Sequence, residues 1–241
     1  MKSPIIYQIY TRLYETYGPQ GWWPFINYQG SNADKRGNHE GYHIGDYSFP
    51  RSELEVFEVC LGSILTQNTS FTSVVKSLHN LNDIQALSSE AIKKLPLATL
   101  KTCIRPSGYH NQKAKYILAF ISFYEKLEGT VPKREELLKV LGIGEETADS
   151  ILLFAYKRPE FKVDTYTKRI LLDLGLIHEK AKYQELKTLM QDSLQEHYLN
   201  EKEALILYQE YHALLVNHAK EFYSKKPYGK GSFLQDYSLK P

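Results

Sequence analysis

Residues 137–169, LLKVLGIGEETADSILLFAYKRPEFKVDTYTKR, leave the chain few ways to fold. Gly142 and Gly144 flank Ile143, so the backbone there can reverse sharply and come close to another molecule. The pattern predicts one helix over 135–141 and a second opening at Glu145 and Glu146, where negative charge suits the helix dipole. Ala148, Ile151, Leu152 and Ala155 then recur at the spacing of one buried helical face. Pro159 ends that stretch, and Val163 leads into Asp164 at the start of another helix. A tight turn feeding a helix offers backbone N–H groups with no helical partner, a natural seat for phosphate. The same turn also serves as a plain helix–helix connection, and Gly-X-Gly alone does not separate the two.

Elsewhere no period-two alternation is sustained, so the whole chain is expected to be all-α. Helices are predicted over 3–17 (Ser3 as N-cap, Pro4 at the first position), 51–66, 71–81 and 88–95. A further helix starts near Lys113, and others cover 165–174, 182–196 and 201–223. In the last, Ala204, Leu207, Tyr208, Tyr211, Leu215, His218 and Phe222 form one apolar face. With 241 residues, 42% of them hydrophobic, there is material for one or two closely joined domains. A net charge of +2 neither requires nor forbids a nucleic-acid partner. Cys60 and Cys103 form no disulfide framework or metal-ligand cluster, which suits a reducing cytoplasm. No apolar run is long enough for a membrane span, so a soluble cytoplasmic protein is expected.

Several positions admit both a structural and a functional role. Trp22 and Trp23, in Gly21-Trp22-Trp23-Pro24-Phe25, can be a hydrophobic plug or a stacking platform for a flat, even cationic, ring. Residues 26–50 form a polar loop, in which His39 and His43 near Glu40 and Asp46 suit a solvated loop better than a metal site. Gln67 follows a helix end that Asn68 can cap. Lys113 and Lys115 can reach phosphate or stay on a solvated surface. Asp164 can be an ordinary N-cap or a catalytic carboxylate. The tail from Ala219 carries five lysines against one glutamate and one aspartate.

Taken together, LGIGEETADSILLFA and VDTYTKRIL resemble the helix-hairpin-helix, Gly/Pro-rich loop and catalytic aspartate of the endonuclease III superfamily of DNA glycosylases. ILTQNTSF resembles its LLSAQAT element, and RPSGYHNQKA its GLYNSKA segment. GWWP and the RPSG run are closer to the type III 3-methyladenine DNA glycosylases, although residues 26–50 make a longer connection than that branch has. The resemblance implies two helical domains, 51–162 and 1–50 plus 163–241, with the active cleft between them. It implies Asp164 as the catalytic carboxylate and Trp22, Trp23, Pro24 and Glu146 as the base pocket. It places Gln67 in the gap left by the flipped nucleotide, with Asn68, Gly142, Ile143, Gly144, Thr147 and Lys168 on the DNA. The expected partner is duplex DNA carrying damaged bases, bound by a monomer.

Bifunctional relatives carry a Schiff-base lysine in a GVGRKTA pattern, and Glu146 stands in that slot. The expectation is therefore a monofunctional glycosylase acting on an alkylated purine such as 3-methyladenine. The alternatives are a glycosylase/lyase using Lys162 or Lys168, and an inactive DNA-binding module. Many relatives hold a 4Fe-4S cluster near a Lys-Pro pair. This chain has Lys226-Pro227 but no cysteine beyond 103, so no cofactor and no metal are expected.

Overall fold

The computed structural model describes residues 2–32 and 40–240, so His39 lies outside the described residues. Among them there is no β-strand, only an isolated bridge between Ser31 and Glu40. The fold is all-α, with helices α1 Pro4–Tyr17, α2 Glu53–Leu65, α3 Phe71–Asp83, α4 Ser89–Lys94, α5 Leu97–Cys103 and α6 His110–Tyr124. They are followed by α7 Arg134–Leu137, α8 Glu145–Ser150, α9 Thr165–Asp173, α10 Tyr183–Leu194 and α11 Glu201–Phe222. No described helix is long and apolar enough to cross a membrane. The chain divides into two compact units, Trp23–Lys157 and Met1–Trp22 with Arg158–Pro241.

The Trp23–Lys157 unit is built on α2, which is buried continuously from Phe57 to Leu65. Ser52 caps it by accepting a hydrogen bond from Glu55 N at 3.2 Å. Helices α3 and α6 and the wide π-turn Ile151–Ala155, which continues α8, pack around it. This unit begins at residue 23 rather than the expected 51. The reason is that 23–32 and 40–50 are anchored rather than solvated: Phe25, Tyr42 and Phe49 are buried, and Glu58 of α2 accepts a hydrogen bond from Ile26 N at 2.9 Å. His43 is buried as well, its ring stacked on Phe49 at 4.6 Å and its nitrogens bonded to Asp46 O (2.7 Å) and Trp23 O (2.9 Å). Burial holds its pKa below the usual histidine value. No group of three or more possible metal ligands exists among the described residues.

Lys113 departs from expectation more sharply. Its side chain is 2% exposed, and Nζ donates to Leu65 O and Ser107 O, each at 2.7 Å. It ties the end of α2 to the 105–108 turn and is not on a solvated helix surface. Burial of the ammonium lowers its pKa to about 8.

In the unit formed by both ends of the chain, α11 is the central element. Expected to present one apolar face, it is buried nearly all round, including Leu205, Gln209, Glu210, His212, Leu214 and Asn217. Helices α1 and α9 pack against it, and α1 also meets α10 and the terminal 3-10 turn Phe233–Tyr237. Tyr211 lies in the core, its hydroxyl donating to Ile6 O at 2.7 Å, as a buried phenol requires. Ser3 precedes α1 as expected, but its side chain makes no cap; its N–H instead donates to Ser193 Oγ at 2.9 Å.

Candidate active site

The hairpin belongs to the Trp23–Lys157 unit. Helix α7 stops at Leu137 instead of Leu141, and the chain turns through residues 138–142 before α8 opens at Glu145. Gly142, at φ +84°, must be glycine, since a Cβ there would stand 2.1 Å from the Tyr116 ring. Gly144 is different: its φ is −93°, and a Cβ would meet nothing within 4 Å. Ile143 is buried and its N–H is already given to Val140 O at 3.0 Å. The amides that face an anion at this turn are thus those of Gly144 and Glu145, at the opening of α8, and not that of Ile143. Arg134 holds α7 onto α8 through Asp149, with Nε–Oδ1 at 2.7 Å and NH2–Oδ2 at 3.2 Å.

Gln67 meets this turn directly. Its Nε2 donates to Gly142 O at 2.8 Å and to Thr147 Oγ1 at 3.1 Å. Thr147 is buried in that joint, whereas Asn68 beside Gln67 is exposed in a left-handed conformation (φ +54°) and is not the cap of α2, which is Thr66. Glu146 is exposed on α8. The two tryptophans separate in role. Trp23 is 2% exposed, edge-to-face with Phe71 at 5.3 Å and close over Gly62, where a Cβ would lie 2.6 Å from the indole. It is a core plug, and Pro24 is buried beside it in sequence. Trp22, in the other unit, is only half-buried.

That other unit carries Asp164, the N-cap of α9. Oδ1 accepts from Thr167 N at 2.8 Å and Thr167 Oγ1 at 3.0 Å. Among the described residues Oδ2 accepts no hydrogen bond. Burial opposes ionisation, but His212, Lys162 and the Thr167 donors outweigh it and hold the carboxyl below the usual aspartate range. His212, buried on α11, shares this charge balance: burial and next Lys162 push its pKa below the usual histidine value, while the Asp164 carboxylate pulls it up. Lys168, one turn after Asp164, is engaged with Ala181 O at 3.0 Å. Lys162 stands out in the sequence only as a candidate lyase nucleophile, whereas the buried His212 escapes sequence reasoning; a polar residue interrupting the apolar face of α11 is the signal that could have found it.

The C-terminal turn does not suit an iron–sulfur cluster. Cys60 and Cys103 are both buried in the Trp23–Lys157 unit. The turn is filled instead: Tyr223 OH donates to Asp173 Oδ2 at 3.0 Å, and Gln235 Nε2 to the same oxygen at 2.7 Å. Gly229 closes on them so tightly that a Cβ would stand 2.3 Å from that oxygen. His218 bridges Tyr17 OH (2.9 Å) and Ser232 Oγ (2.7 Å), and the Arg169 guanidinium lies over the Tyr228 ring at 4.4 Å. No thiolate is within this set to hold iron.

Comparison with known proteins gives consistent relatives. A Methanocaldococcus jannaschii protein whose name marks it as a candidate DNA repair glycosylase is 38% identical over 236 residues, covering 93% of this chain and 91% of its own. Endonuclease III of Sulfolobus acidocaldarius is 27% identical over 209 residues, covering 82% and 90%. Among solved structures, the H. pylori 3-methyladenine DNA glycosylase bound to 1,N6-ethenoadenine superposes with a TM-score of 0.67 at 29% identity, covering 91% of this chain and 98% of that one. A non-covalent endonuclease III–DNA complex shares the fold with a TM-score of 0.70 at 18% identity, covering 99% and 96%. The family model for HhH-GPD superfamily base excision DNA repair proteins matches residues 61–196. With the helix-hairpin-helix and the capping aspartate in place, the chain belongs to the HhH-GPD superfamily and is a base excision repair DNA glycosylase.

Proposed function

We propose that the protein is a monofunctional glycosylase that hydrolyses the N-glycosidic bond of an alkylated purine flipped from duplex DNA and leaves an abasic site. The arrangement of Asp164 carries this reading. Its cap fixes one oxygen on Thr167, its surroundings favour the ionised form, and the second oxygen is available. Breaking the bond builds positive charge on the sugar, and a fixed carboxylate stabilises that charge and can orient the attacking water. The base must first leave the stack, so the chain must grip the strand on both sides. The amides of Gly144 and α8 suit a phosphate, which gives binding that is independent of sequence and weakens as salt rises.

Glu146 supports hydrolysis over lyase chemistry, because a carboxylate cannot form a Schiff base. Lys168 is occupied by Ala181 O, and Lys162 is buried beside Asp164 and His212. The half-buried Trp22 supports a cationic alkylated base, since an indole face attracts such a ring by roughly 0.5–2 kcal/mol. The H. pylori relative's name and ligand each contain a modified purine, which supports the purine part of this reading. The proposed protein works without a metal or cluster.

The test is base release from duplexes carrying a single alkylated purine. Asp164→Asn is expected to keep the fold and DNA affinity while slowing release on the order of a hundredfold or more. Product strands should stay intact, and borohydride should trap no covalent adduct. Full activity of Asp164→Asn removes the aspartate from the chemistry, and efficient trapping replaces the hydrolase by a lyase.

A further inference from the structure

We infer that Glu210 is a positioning residue for Trp22, fixing the indole in the orientation on which a base stacks. The nature of the ligand rests on the proposed function; the positioning rests on the geometry of one structural unit.

Trp22 has no helix of its own. It ends the short segment that follows α1, in which Gly18 (φ +68°) and Gly21 (φ +65°) both turn the backbone. Such a segment, left loose, would let the indole sample many orientations, and ordering it on binding would cost affinity. Helix α11 removes that freedom. Glu210 Oε2 accepts from Gln20 N at 2.7 Å, and Oε1 faces Gly21 N at 3.5 Å. Two turns further along the same face, Asn217 Nδ2 donates to Gln20 Oε1 at 3.0 Å. Gln20 Nε2 then closes back on Gly18 O at 2.9 Å. The residues immediately before Trp22 are therefore held through both backbone and side chain.

A carboxylate is a costly way to fill a helix core. Glu210 is 2% exposed, and burial is tolerated only when such a group is hydrogen-bonded. An apolar residue would pack α11 without that cost but would leave the backbone amides of 20–21 without this acceptor. Tyr10 of α1 lies close enough that Glu210 adds to the effect of burial in raising its pKa. Two residues on, the same helix carries His212, which lies in the electrostatic surroundings of Asp164. Helix α11 thus supports both the stacking residue and the carboxylate.

The test is a double-mutant cycle with Trp22→Ala, Glu210→Ala and their combination, assayed in single turnover on duplex containing 7-methylguanine, a cationic base. Glu210→Ala is expected to raise the half-saturating concentration about tenfold, with the maximal rate within about threefold of wild type. Added to Trp22→Ala, it should change nothing further, because its effect passes through the indole. Additive losses, or wild-type saturation in Glu210→Ala, overturn the inference. Glu210→Gln, which keeps the volume and one acceptor oxygen, carries the cycle if the alanine variant does not fold, with a smaller shift in the same parameter. Amide exchange without DNA gives a separate readout: Gln20 and Gly21 should exchange at least about tenfold faster in the variant while α11 stays protected. Unchanged exchange also overturns it. A wild-type protein that releases no alkylated base defeats the glycosylase substrate reading, and the exchange data still decide the positioning.

Discussion

Glu58 shows how one side chain sets a measurable pH dependence. It is buried on α2 with Ile26 N as its donor, and burial raises its pKa from 4.5 to about 7. The folded state therefore holds its proton over a range in which the unfolded chain has lost it. Its contribution is fully present below about pH 4.5 and is lost as pH rises through about 7, for a total of roughly 3 kcal/mol. Glu58→Gln keeps the acceptor for Ile26 N without the charge. It should melt like wild type near pH 4 and higher than wild type at pH 8; equal melting temperatures at both pH values would show that the carboxyl is not desolvated. At this scale the sequence was a partial guide. Asp164 was legible as the N-cap of α9, because it stands directly before the helix that Thr165 opens, and its catalytic role comes from the family resemblance. Lys113 was not, because a lysine beginning a helix looks solvated until α2 arrives with carbonyls to cap. Trp23 was not, because only the packed structure shows that Gly62 leaves room for its ring.

The hairpin is the element on which the strongest expectation rested, and its two glycines separate by cause. Gly142→Ala forces a side chain into left-handed backbone and into the Tyr116 ring, and should cost roughly 2–4 kcal/mol of stability. Gly144→Ala meets no protein atom and should cost at most about 1 kcal/mol as a poorer N-cap. If a phosphate seats on this turn, Gly144→Ala should nevertheless weaken DNA affinity, on the order of tenfold, with a shallower salt dependence. A stable Gly144→Ala protein with wild-type affinity would take the turn off the DNA. Chemical melts with salt-dependent binding curves separate the two variants. Helix type and order were legible here because the apolar spacing is unambiguous. The length of α7 was not, since Leu138 to Leu141 have helical character in sequence but are drawn into the turn that Gly142 closes. Nor does spacing reveal a π-turn after Ser150, which depends on packing against α2.

At the scale of the whole molecule, the Asp173–Tyr223–Gln235 set, the His218 bridge and the Arg169–Tyr228 stack hold the C-terminal turn with protein contacts. Purified protein should be colourless, and a chelator should leave its melting temperature unchanged; stoichiometric iron and sulfide would refute this. The two-unit organisation was legible, but its boundary near residue 22 was not, because the aromatic anchors of 23–50 sit in a stretch of polar composition. That boundary also sets the order in which a growing chain can fold. Residues 23–157 are contiguous, whereas α1 emerges first and its partner α11 last; Ile6 and Tyr211 are 205 residues apart. At about 5–20 residues per second, translation keeps them apart for on the order of ten to forty seconds. Through that interval Ile6, Ile9 and Leu13 form an apolar stripe with nothing to cover it. In that interval the 23–157 body is expected to be folded while α1 is still uncovered, a surface suited to chaperones that bind amphipathic segments. Ribosome-bound chains halted before α11 should yield a protease-resistant 23–157 fragment and a rapidly cleaved α1, while release of the full chain should protect both together.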